Sequence, residues 1–398
     1  MIMPRTSYDV CAVVISDLAY DARVWKEART LRESGRTVVL IGCTYDVAGI
    51  RRRTESDIDV VEISLGTRAG RVSAAVRALT LVRVWREVLR TRARVYHVHN
   101  IHPGPAALVA GRIRRVPVVY DAHELYGEPR DRSAAARLAG GLTYALERLM
   151  ARRSAAVITT NRSRLNVLAR RHGRDDVVVL ANVPNLQRSV VPLDPGFPRD
   201  VNVLLYQGGI YAESRAFRQS LEALTHLPSD VHLAILGFGR DRDIDLVHEW
   251  SDMFGVSSRV HFLPPRPFDE LVRTAAAATI GLVPIRPVRL NHTLGDTNKL
   301  HEYLMAGLPV VASDLPEIRH VAQQGDPPVG EVFDPEDSES IAAAVKRILA
   351  DQDQLARRRS EALRLARELY NWEAEQRKLL DLYRRLDRTN RRPAGARA

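Results

Sequence analysis

The sequence predicts an α/β protein built from two doubly wound domains. At 398 residues the chain is too long for one ordinary core, which favours two domains of roughly 150–200 residues each. Short apolar runs alternate with helix-like segments from end to end, a pattern typical of parallel sheets covered by helices on both faces. Between residues 186 and 200 three prolines, a glycine and several charges interrupt any period, which indicates a linker.

The apolar runs define the expected strands, with helical segments between them such as residues 22–34 and 133–153. In the first domain, residues 1–185, the strands are DVCAVVI (9–15), TVVLI (37–41), DVVEI (59–63), VYHV (95–98), PVVY (117–120), AVIT (156–159) and VVVL (177–180). In the second domain, residues 201–370, they are VNVLLY (201–206), VHLAIL (231–236), RVHFL (259–263), TIGLVP (279–284) and LPVVA (308–312). We expect a C-terminal helix over residues 371–388 and a flexible tail over 389–398.

The composition indicates a folded cytoplasmic protein. No run of about 18 apolar residues is present, and the first residues lack the plan of a signal peptide. Cys11 and Cys43 lie in apolar strands and are predicted to be reduced and buried. The net charge of +11 comes almost entirely from arginines spread over both halves, without an aromatic-interleaved basic patch, so nucleic-acid binding is not expected.

The segment LGDTNKLHEYLMAGLPVVASDLPE, residues 294–317, is the first candidate for chemistry. A helix beginning near Thr297 would follow a loop containing Gly295 and Asp296, and its unpaired backbone N–H groups would form an anion site. Lys299 would add a mobile positive charge to that site, and Glu302 suits a pair of vicinal hydroxyls such as a ribose. The alternative interpretation is an ordinary surface salt bridge between these two side chains.

Glycine-containing loops follow two further strands of the same domain. Gly208 and Gly209 come directly after VNVLLYQ and precede a helix with Arg215 at its start, and Gly237 and Gly239 follow VHLAIL. Each glycine pair alone also fits a plain turn. Because the carboxyl ends of parallel strands meet at one edge of a sheet, three such loops together favour a nucleotide site.

Polar residues also gather at strand ends in the first domain. Arg23, with Lys26 and Glu27, lies on the helix after the first strand, while His97, His99 and His102 lie near the end of the strand VYHV. Asp121, His123 and Glu124 follow PVVY. The histidine spacing resembles no zinc motif, so a hydrogen-bonding constellation for a substrate is the better interpretation, with a satisfied loop histidine as its alternative.

Taken in order, these motifs resemble glycosyltransferase family 4, the retaining enzymes of the GT-B fold. The resemblance rests on DARVWKEA, HVHN, YDAHE, the strand followed by GG and an arginine, GFGR, NKLHEYLMAGLPVVASDLPE and YNWEAEQRKLLDLYRRL, and it extends from about residue 9 to 388. It implies two Rossmann-like domains facing across a cleft, with the C-terminal helix crossing back onto the N-terminal domain. The N-terminal domain would take the acceptor and the C-terminal domain a nucleotide-diphosphate sugar.

The resemblance also implies roles for individual residues. Glu302 matches the glutamate that binds the ribose hydroxyls, Arg215 matches the basic residue at the diphosphate, and His123 matches the histidine that reaches the donor sugar. His123, Arg215 and Lys299 would carry catalysis, and Glu302 would bind the donor. The further donor-binding candidates are Gly208, Gly209, Gly237, Gly239, Asp296, Thr297 and Asn298. The acceptor-side candidates are Arg23, His99, Asp121 and Glu124.

Two positions depart from the family pattern. Leu294 stands where the family has its first glutamate, and Gly209 stands where an arginine is common. We hypothesise that Asp296 replaces the missing carboxylate and that Lys299 replaces the missing charge.

The function implied is transfer of a sugar from a nucleotide-diphosphate sugar to an acceptor hydroxyl with retention, without a metal or another cofactor. The hydroxyl acceptor is not identified by the sequence. Asp-x-Asp patterns at residues 57–59 and 241–245 are explained by turns rather than by a metal. A nucleotide-sugar epimerase and a non-catalytic sugar-nucleotide-binding subunit remain alternatives. Residues 71–94 form a basic amphipathic helix that could touch a membrane surface, although packing of its apolar residues on the sheet is favoured.

Overall fold

The computed structural model describes residues 7–66, 73–129 and 133–390, without the side chains of residues 389 and 390. The described chain forms two compact units. The first comprises the residues up to Ala181 together with those from Glu375 onward, and the second comprises Asn182–Ala374. The tail predicted at 389–398 and the start of the helix predicted at 71–94 lie outside the fully described residues.

The first unit contains one sheet of eight strands. Its strands are β1 (Tyr8–Asp17), β2 (Val38–Thr44), β3 (Ile50–Glu55), β4 (Ile58–Ser64), β5 (Ala93–His99), β6 (Val118–Ala122), β7 (Ala156–Thr159) and β8 (Val178–Val179). Their order is β3-β4-β2-β1-β5-β6-β7-β8. Its helices are α1 (Ala22–Glu33), α2 (Ala74–Arg90), α3 (Gly104–Arg114), α4 (Ala134–Arg153) and α5 (Arg162–His172).

The buried strands of this sheet follow the apolar runs of the sequence. All neighbouring strands pair in parallel except β3, which pairs with β4 antiparallel. β3 was not predicted, because its sequence IRRRTE is an exposed edge strand without an apolar run. Arg51 and Arg53 of β3 pair with the carboxylate of Glu62 on β4. Cys11 and Cys43 are buried as free thiols, and burial raises the pKa of each to about 12.

The second unit contains a parallel sheet of six strands. They are β9 (Asn202–Gln207), β10 (Val231–Leu236), β11 (Val260–Leu263), β12 (Ile280–Val283), β13 (Val310–Ser313) and β14 (Gly330–Phe333), in the order β11-β10-β9-β12-β13-β14. Its helices are α6 (Phe217–Thr225), α7 (Asp241–Met253), α8 (Phe268–Ala275), α9 (Leu290–Thr293), α10 (Asn298–Met305), α11 (Pro316–Ala322), α12 (Ser338–Leu349) and α13 (Gln352–Glu368). Two apolar clusters form the core of this unit.

The predicted linker, residues 186–200, lies within the second unit. Leu186, Val190 and Phe197 pack against one of its apolar clusters, and the backbone N–H of Leu193 donates to the carbonyl of Arg273. The prolines end regular structure but do not prevent packing, which explains why composition alone suggested a linker.

The last helix, α14 (Trp372–Asn390), begins at the end of the second unit, and from Glu375 onward it belongs to the first. Tyr383 on this helix is completely buried, and its hydroxyl lies 2.9 Å from Nδ1 of His97 on β5. The chain therefore returns to the unit in which it began. Among the described residues, no helix combines the length and apolar character needed to cross a lipid bilayer.

Candidate active site

The N-terminus of α10 forms the centre of the candidate site in the second unit. Thr297 occupies the N-cap position in an extended conformation, and its side chain accepts no capping hydrogen bond from the helix. The first backbone N–H groups of a helix have no partner inside it and carry partial positive charge. The structure therefore confirms the helix expected here, and its first turn can attract an anion.

Lys299 lies in the first turn of α10 and is buried, with only 6% of its surface exposed. Its Nζ lies 3.2 Å from the hydroxyl oxygen of Thr297 and 5.1 Å from the ring centre of Tyr206. Burial, followed by the positive charge of Arg215, lowers the pKa of Lys299 from 10.5 to about 7, although Glu302 acts in the opposite direction. The mobility expected for this charge is thus wrong, because burial and the contact with Thr297 fix the side chain. This lysine is held in a partly dry site beside a second cation.

Glu302 lies on the second turn of α10 and is tied to the end of β9. The side-chain amide of Gln207 donates from Nε2 to Oε2 of Glu302 at 2.5 Å. The neighbouring Tyr303 accepts a hydrogen bond from the backbone N–H of Gln207 and donates to the carbonyl of Leu205. Gln207, which is 2% exposed, was not predicted as a site residue, because nothing in a strand-ending glutamine distinguishes it in the sequence.

The glycines after β9 and β10 allow two loops to approach each other. A Cβ atom on Gly237 would lie 1.9 Å from the carbonyl oxygen of Gly208, and one on Gly239 would lie 2.7 Å from that of Ile210. Gly208 has a φ of +126°, which side chains rarely adopt, and a Cβ there would lie 3.5 Å from Nζ of Lys299. These glycines are therefore required for backbone packing beside Lys299.

Arg215 precedes α6 by two residues, rather than starting the helix as expected. Its Nη1 donates to the carbonyl oxygen of Ser214 at 3.0 Å and to the hydroxyl of Ser214 at 3.1 Å, and its guanidinium lies 5.5 Å from the ring centre of Tyr211. Its Nε is buried without a hydrogen-bond partner in the described structure. Arg215 thus has hydrogen-bonding capacity that the protein does not use, close enough to Lys299 to lower its pKa.

The loop before α10 contains the other donor-binding candidates. Oδ2 of Asp296 lies 3.2 Å from Nε2 of the buried His301, so one oxygen of this carboxylate already contacts a side chain of α10. Oδ1 of Asn298 accepts a hydrogen bond from Asn182 at 2.8 Å. Leu294 ends the four-residue helix α9. Asp296 therefore lies next to the helix terminus, and its role in place of the missing glutamate stays a prediction.

A buried network of charges lies at the ends of β5 and β6 in the first unit. Arg23 on α1 donates from Nε and Nη2 to the two oxygens of Asp121, both at 3.0 Å, and from Nη1 to the carbonyl of Leu180 at 2.8 Å. Asp121 is completely buried. Burial opposes its ionisation, but Arg23 and His123 outweigh burial and hold the pKa of Asp121 well below its usual range.

His123 is the most exposed member of this network, at 17% of its side-chain surface. Its Nε2 lies 3.0 Å from Oδ2 of Asp121 and 3.2 Å from Nδ1 of His99. The carboxylate thus fixes the orientation of the imidazole. The other two candidates from this region lie apart from it. Glu124 is exposed, and His102 meets the ring of Tyr126 edge-on instead.

Glu27, His97, His99 and Asp121 meet the distance requirement of a metal site, since one possible ligand atom of each lies within 4.8 Å of the others. The cluster already contains a cation, because Arg23 lies 3.0 Å from both Glu27 and Asp121. Burial and the charge of Asp121 raise the pKa of Glu27 well above its usual range, and burial lowers those of both histidines. Because Arg23 already occupies the space between the two carboxyl groups, the cluster fits a structural network better than a metal centre.

Two Rossmann-like units in one chain, with the N-terminus of α10 at the carboxyl edge of the second sheet, are the architecture of the GT-B fold. Comparison with solved structures agrees. Sucrose-phosphate synthase from Thermosynechococcus elongatus matches with a TM-score of 0.76 at 17% identity, over 96% of this chain and 100% of that one. The Anabaena protein HepE, solved in complex with UDP-glucose, matches with a TM-score of 0.68 at 13% identity, over 95% and 100%. Identities this low show the fold alone.

The family follows from the sequence matches. Residues 201–351 match the glycosyl transferases group 1, and residues 20–183 match the glycosyl transferase 4-like domain. The chain belongs to glycosyltransferase family 4, as its motifs suggested, and it is a glycosyltransferase.

Curated relatives include D-inositol 3-phosphate glycosyltransferases from two bacteria. The Nocardioides enzyme is 30% identical over 50% of this chain, and the Xylanimonas cellulosilytica enzyme is 27% identical over 75%. The match spans 44% of the Nocardioides enzyme and 73% of the Xylanimonas enzyme.

Proposed function

We propose that this glycosyltransferase binds a nucleotide-diphosphate sugar at the N-terminus of α10 and transfers the sugar with retention of the anomeric configuration. The observation that carries the proposal is the pair of cations there. Keeping a buried Lys299 beside Arg215 is costly in the free protein, as the lowered pKa of Lys299 shows. A diphosphate would offset this cost, since it brings negative charge to both side chains and to the helix terminus.

The same groups would assist departure of the nucleotide diphosphate. When the bond between the anomeric carbon and the phosphate oxygen breaks, negative charge develops on the phosphate and positive charge on the sugar ring. Arg215, Lys299 and the first N–H groups of α10 are fixed in place before the reaction, which makes their stabilisation of that charge effective. We propose that the leaving phosphate takes the proton of the acceptor hydroxyl, so that no metal ion is required.

Two further contacts belong to the proposal. Glu302, held by Gln207, offers carboxylate oxygens to the two ribose hydroxyls of the nucleotide. In the first unit, His123 is the partly exposed member of a rigid network, and we propose that it hydrogen-bonds to a substrate hydroxyl while Arg23, His99 and Asp121 orient it. The UDP-glucose in the HepE structure supports testing UDP-sugars first. The names of the curated relatives make D-inositol 3-phosphate the first acceptor to test.

The test is transfer by two variants, Arg215→Ala and Glu302→Ala. Each should lower kcat/KM by at least about a hundredfold while leaving the fold intact by circular dichroism, since each removes contacts to a charged ligand. Arg364→Ala and Glu368→Ala are the matched controls, because both side chains lie on the surface of α13. Near-normal turnover by either site variant would contradict the assignment. Nuclear magnetic resonance of the product decides retention, and full activity in EDTA decides metal independence.

Assays with the same donor and acceptor distinguish a transferase from two alternative functions. An epimerase would convert the donor sugar in the absence of any acceptor, whereas a transferase would at most hydrolyse it slowly. A non-catalytic binding subunit is suggested by Leu294 at the position of the family's first glutamate. Such a subunit would bind the donor in calorimetry, but it would show no turnover with any acceptor.

A further inference from the structure

Helices α2, α3 and α4 of the first unit lie side by side, since α2 packs against α3 and α3 against α4. Each begins after one strand and leads to the next strand in the series β4, β5, β6 and β7. We refer to their combined outer face as the α2–α4 surface. The three helices are described over their whole length, so their exposure and charge can be compared residue by residue.

The α2–α4 surface exposes large apolar side chains from all three helices. On α2, Thr80, Val84 and Val88 are buried, whereas Leu79 and Val82 are 48% and 58% exposed. The sheet therefore covers only part of the apolar face that the sequence suggested it would cover. Four more exposed side chains, each between 50% and 72% exposed, extend the patch: Val109, Ile113, Leu138 and Leu142.

The charged residues of these helices are almost all arginines. Helices α2, α3 and α4 contain four, two and four arginines, and neither lysine nor aspartate. Their two glutamates, Glu87 and Glu147, are buried and paired, with Arg52 and with His172 respectively. No carboxylate of these helices is therefore exposed. Helix α7 in the second unit shows the contrast, because its exposed Met253 shares the helix with the exposed carboxylates of Asp241 and Asp245.

We propose that the α2–α4 surface binds the surface of an anionic lipid membrane. Exposed apolar side chains among arginines, without exposed carboxylates, match a layer of anionic headgroups above hydrocarbon. Nucleic acid would complement the arginines alone and would leave six large apolar side chains unexplained. The exposure extends over three adjacent helices, as expected for contact with an extended flat partner.

The proposal is tested by co-flotation of the whole protein with vesicles. The probes are vesicles of phosphatidylcholine alone and of equal parts phosphatidylcholine and phosphatidylglycerol. We expect binding to the second composition only, and weaker binding as salt is raised, because salt screens arginine–headgroup attraction. The triple variant Leu79→Ser, Ile113→Ser, Leu142→Ser should bind about a hundredfold more weakly, since each residue would lose partial burial in lipid.

Met253→Ser is the matched control, because it removes an apolar side chain that is 64% exposed in the second unit. It should float as the wild type does. Circular dichroism should be the same in all variants, and the melting temperature should fall by only a few degrees, since serine has a slightly lower helix propensity than leucine or isoleucine. Absence of binding to anionic vesicles, equal binding by the triple variant, or an equal loss with Met253→Ser would overturn the proposal. Flotation needs no sugar transfer, so its outcome is independent of the proposed reaction.

Discussion

Replacing Lys299 by methionine tests whether the α10 site carries a costly buried charge. Methionine has nearly the same length and no charge, so the buried volume is preserved. The pKa of Lys299 is about 7 in the folded protein, whereas a lysine in the unfolded chain has a pKa of 10.5. Between these two pH values the unfolded chain therefore binds one proton more than the folded protein does. The stability of the wild type should therefore rise with pH across this window, and that of the variant should not.

The size of the effect follows from the pKa. The difference between 10.5 and about 7, at about 1.4 kcal/mol for each pH unit, gives about 5 kcal/mol for the full penalty below pH 7. At pH 7 the variant should be more stable by about 4 kcal/mol, and at pH 9 by about 2 kcal/mol. For a unit of this size the first figure corresponds to an increase of about 10 °C in melting temperature.

The measurement is thermal unfolding of both proteins between about pH 6 and pH 9, where the charge of Lys299 changes but that of an ordinary lysine does not. Lys346→Met is the control, because this lysine is exposed on α12 of the same unit and its loss should matter little. A destabilised Lys299→Met protein, or a stability difference that does not change with pH, would refute the reasoning.

The same variant should bind UDP more weakly. A charged hydrogen bond contributes about 1.5–3 kcal/mol, so we expect a loss of about ten- to a hundredfold in affinity at pH 7. In the wild type, binding of the diphosphate should be accompanied by proton uptake above pH 7, since the ligand restores the charge of Lys299. Calorimetry in buffers of different ionisation enthalpy measures that proton. Higher stability together with lower affinity would show that the site is maintained for a ligand at the expense of the fold.

Three other substitutions test the remaining parts of the site. Glu302→Gln should weaken UDP binding by about tenfold without changing stability, because the group that accepts hydrogen bonds from the ribose hydroxyls loses its charge. Isothermal calorimetry measures this loss of affinity. Gly237→Ala should lower stability by about 1–3 kcal/mol and abolish binding, since the new Cβ would meet the backbone of the β9 loop. Gly141→Ala on helix α4 is its control, because a Cβ there meets nothing and should raise stability in urea unfolding by about 1 kcal/mol. In the first unit, Asp121→Asn should destabilise by about 3–5 kcal/mol, since it removes the carboxylate that accepts two hydrogen bonds from the buried Arg23, while Glu27→Gln should not.

The stability effect of Glu27→Gln should depend on pH with a definite sign. The raised pKa of Glu27 means that the folded protein retains a proton that the unfolded chain has lost above pH 4.5, so stability falls as pH rises until Glu27 ionises. Glu27→Gln should remove that part of the dependence and be the more stable protein at pH 8. Equal destabilisation by Asp121→Asn and Glu27→Gln would show instead that both carboxyls are ionised.

For the Glu302 prediction, a Glu302→Gln protein with unchanged affinity for UDP would show that the ribose binds elsewhere.

Local patterns in the sequence were sufficient for most of the architecture. Continuous apolar runs marked the buried parallel strands, because a strand covered on both faces needs apolar side chains at every position. β3 and β14 were missed. The first is an edge strand of arginines, and the second, GEVF, contains a glycine and a glutamate and therefore no continuous apolar run. The linker was misplaced, since side chains of residues 186–200 find an apolar cluster that no local pattern reveals.

By itself, the sequence determined the fold class, the family motifs and the residues at the strand ends, because each depends on spacing along the chain. Only the tertiary structure decided how deeply those residues are buried and which charges lie beside them. Lys299 and Glu302 read as a possible surface pair, and it is packing against Tyr206 and Gly208 that buries the lysine and lowers its pKa. Burial and charge proximity arise from segments far apart in sequence, so a one-dimensional pattern contains no measure of either.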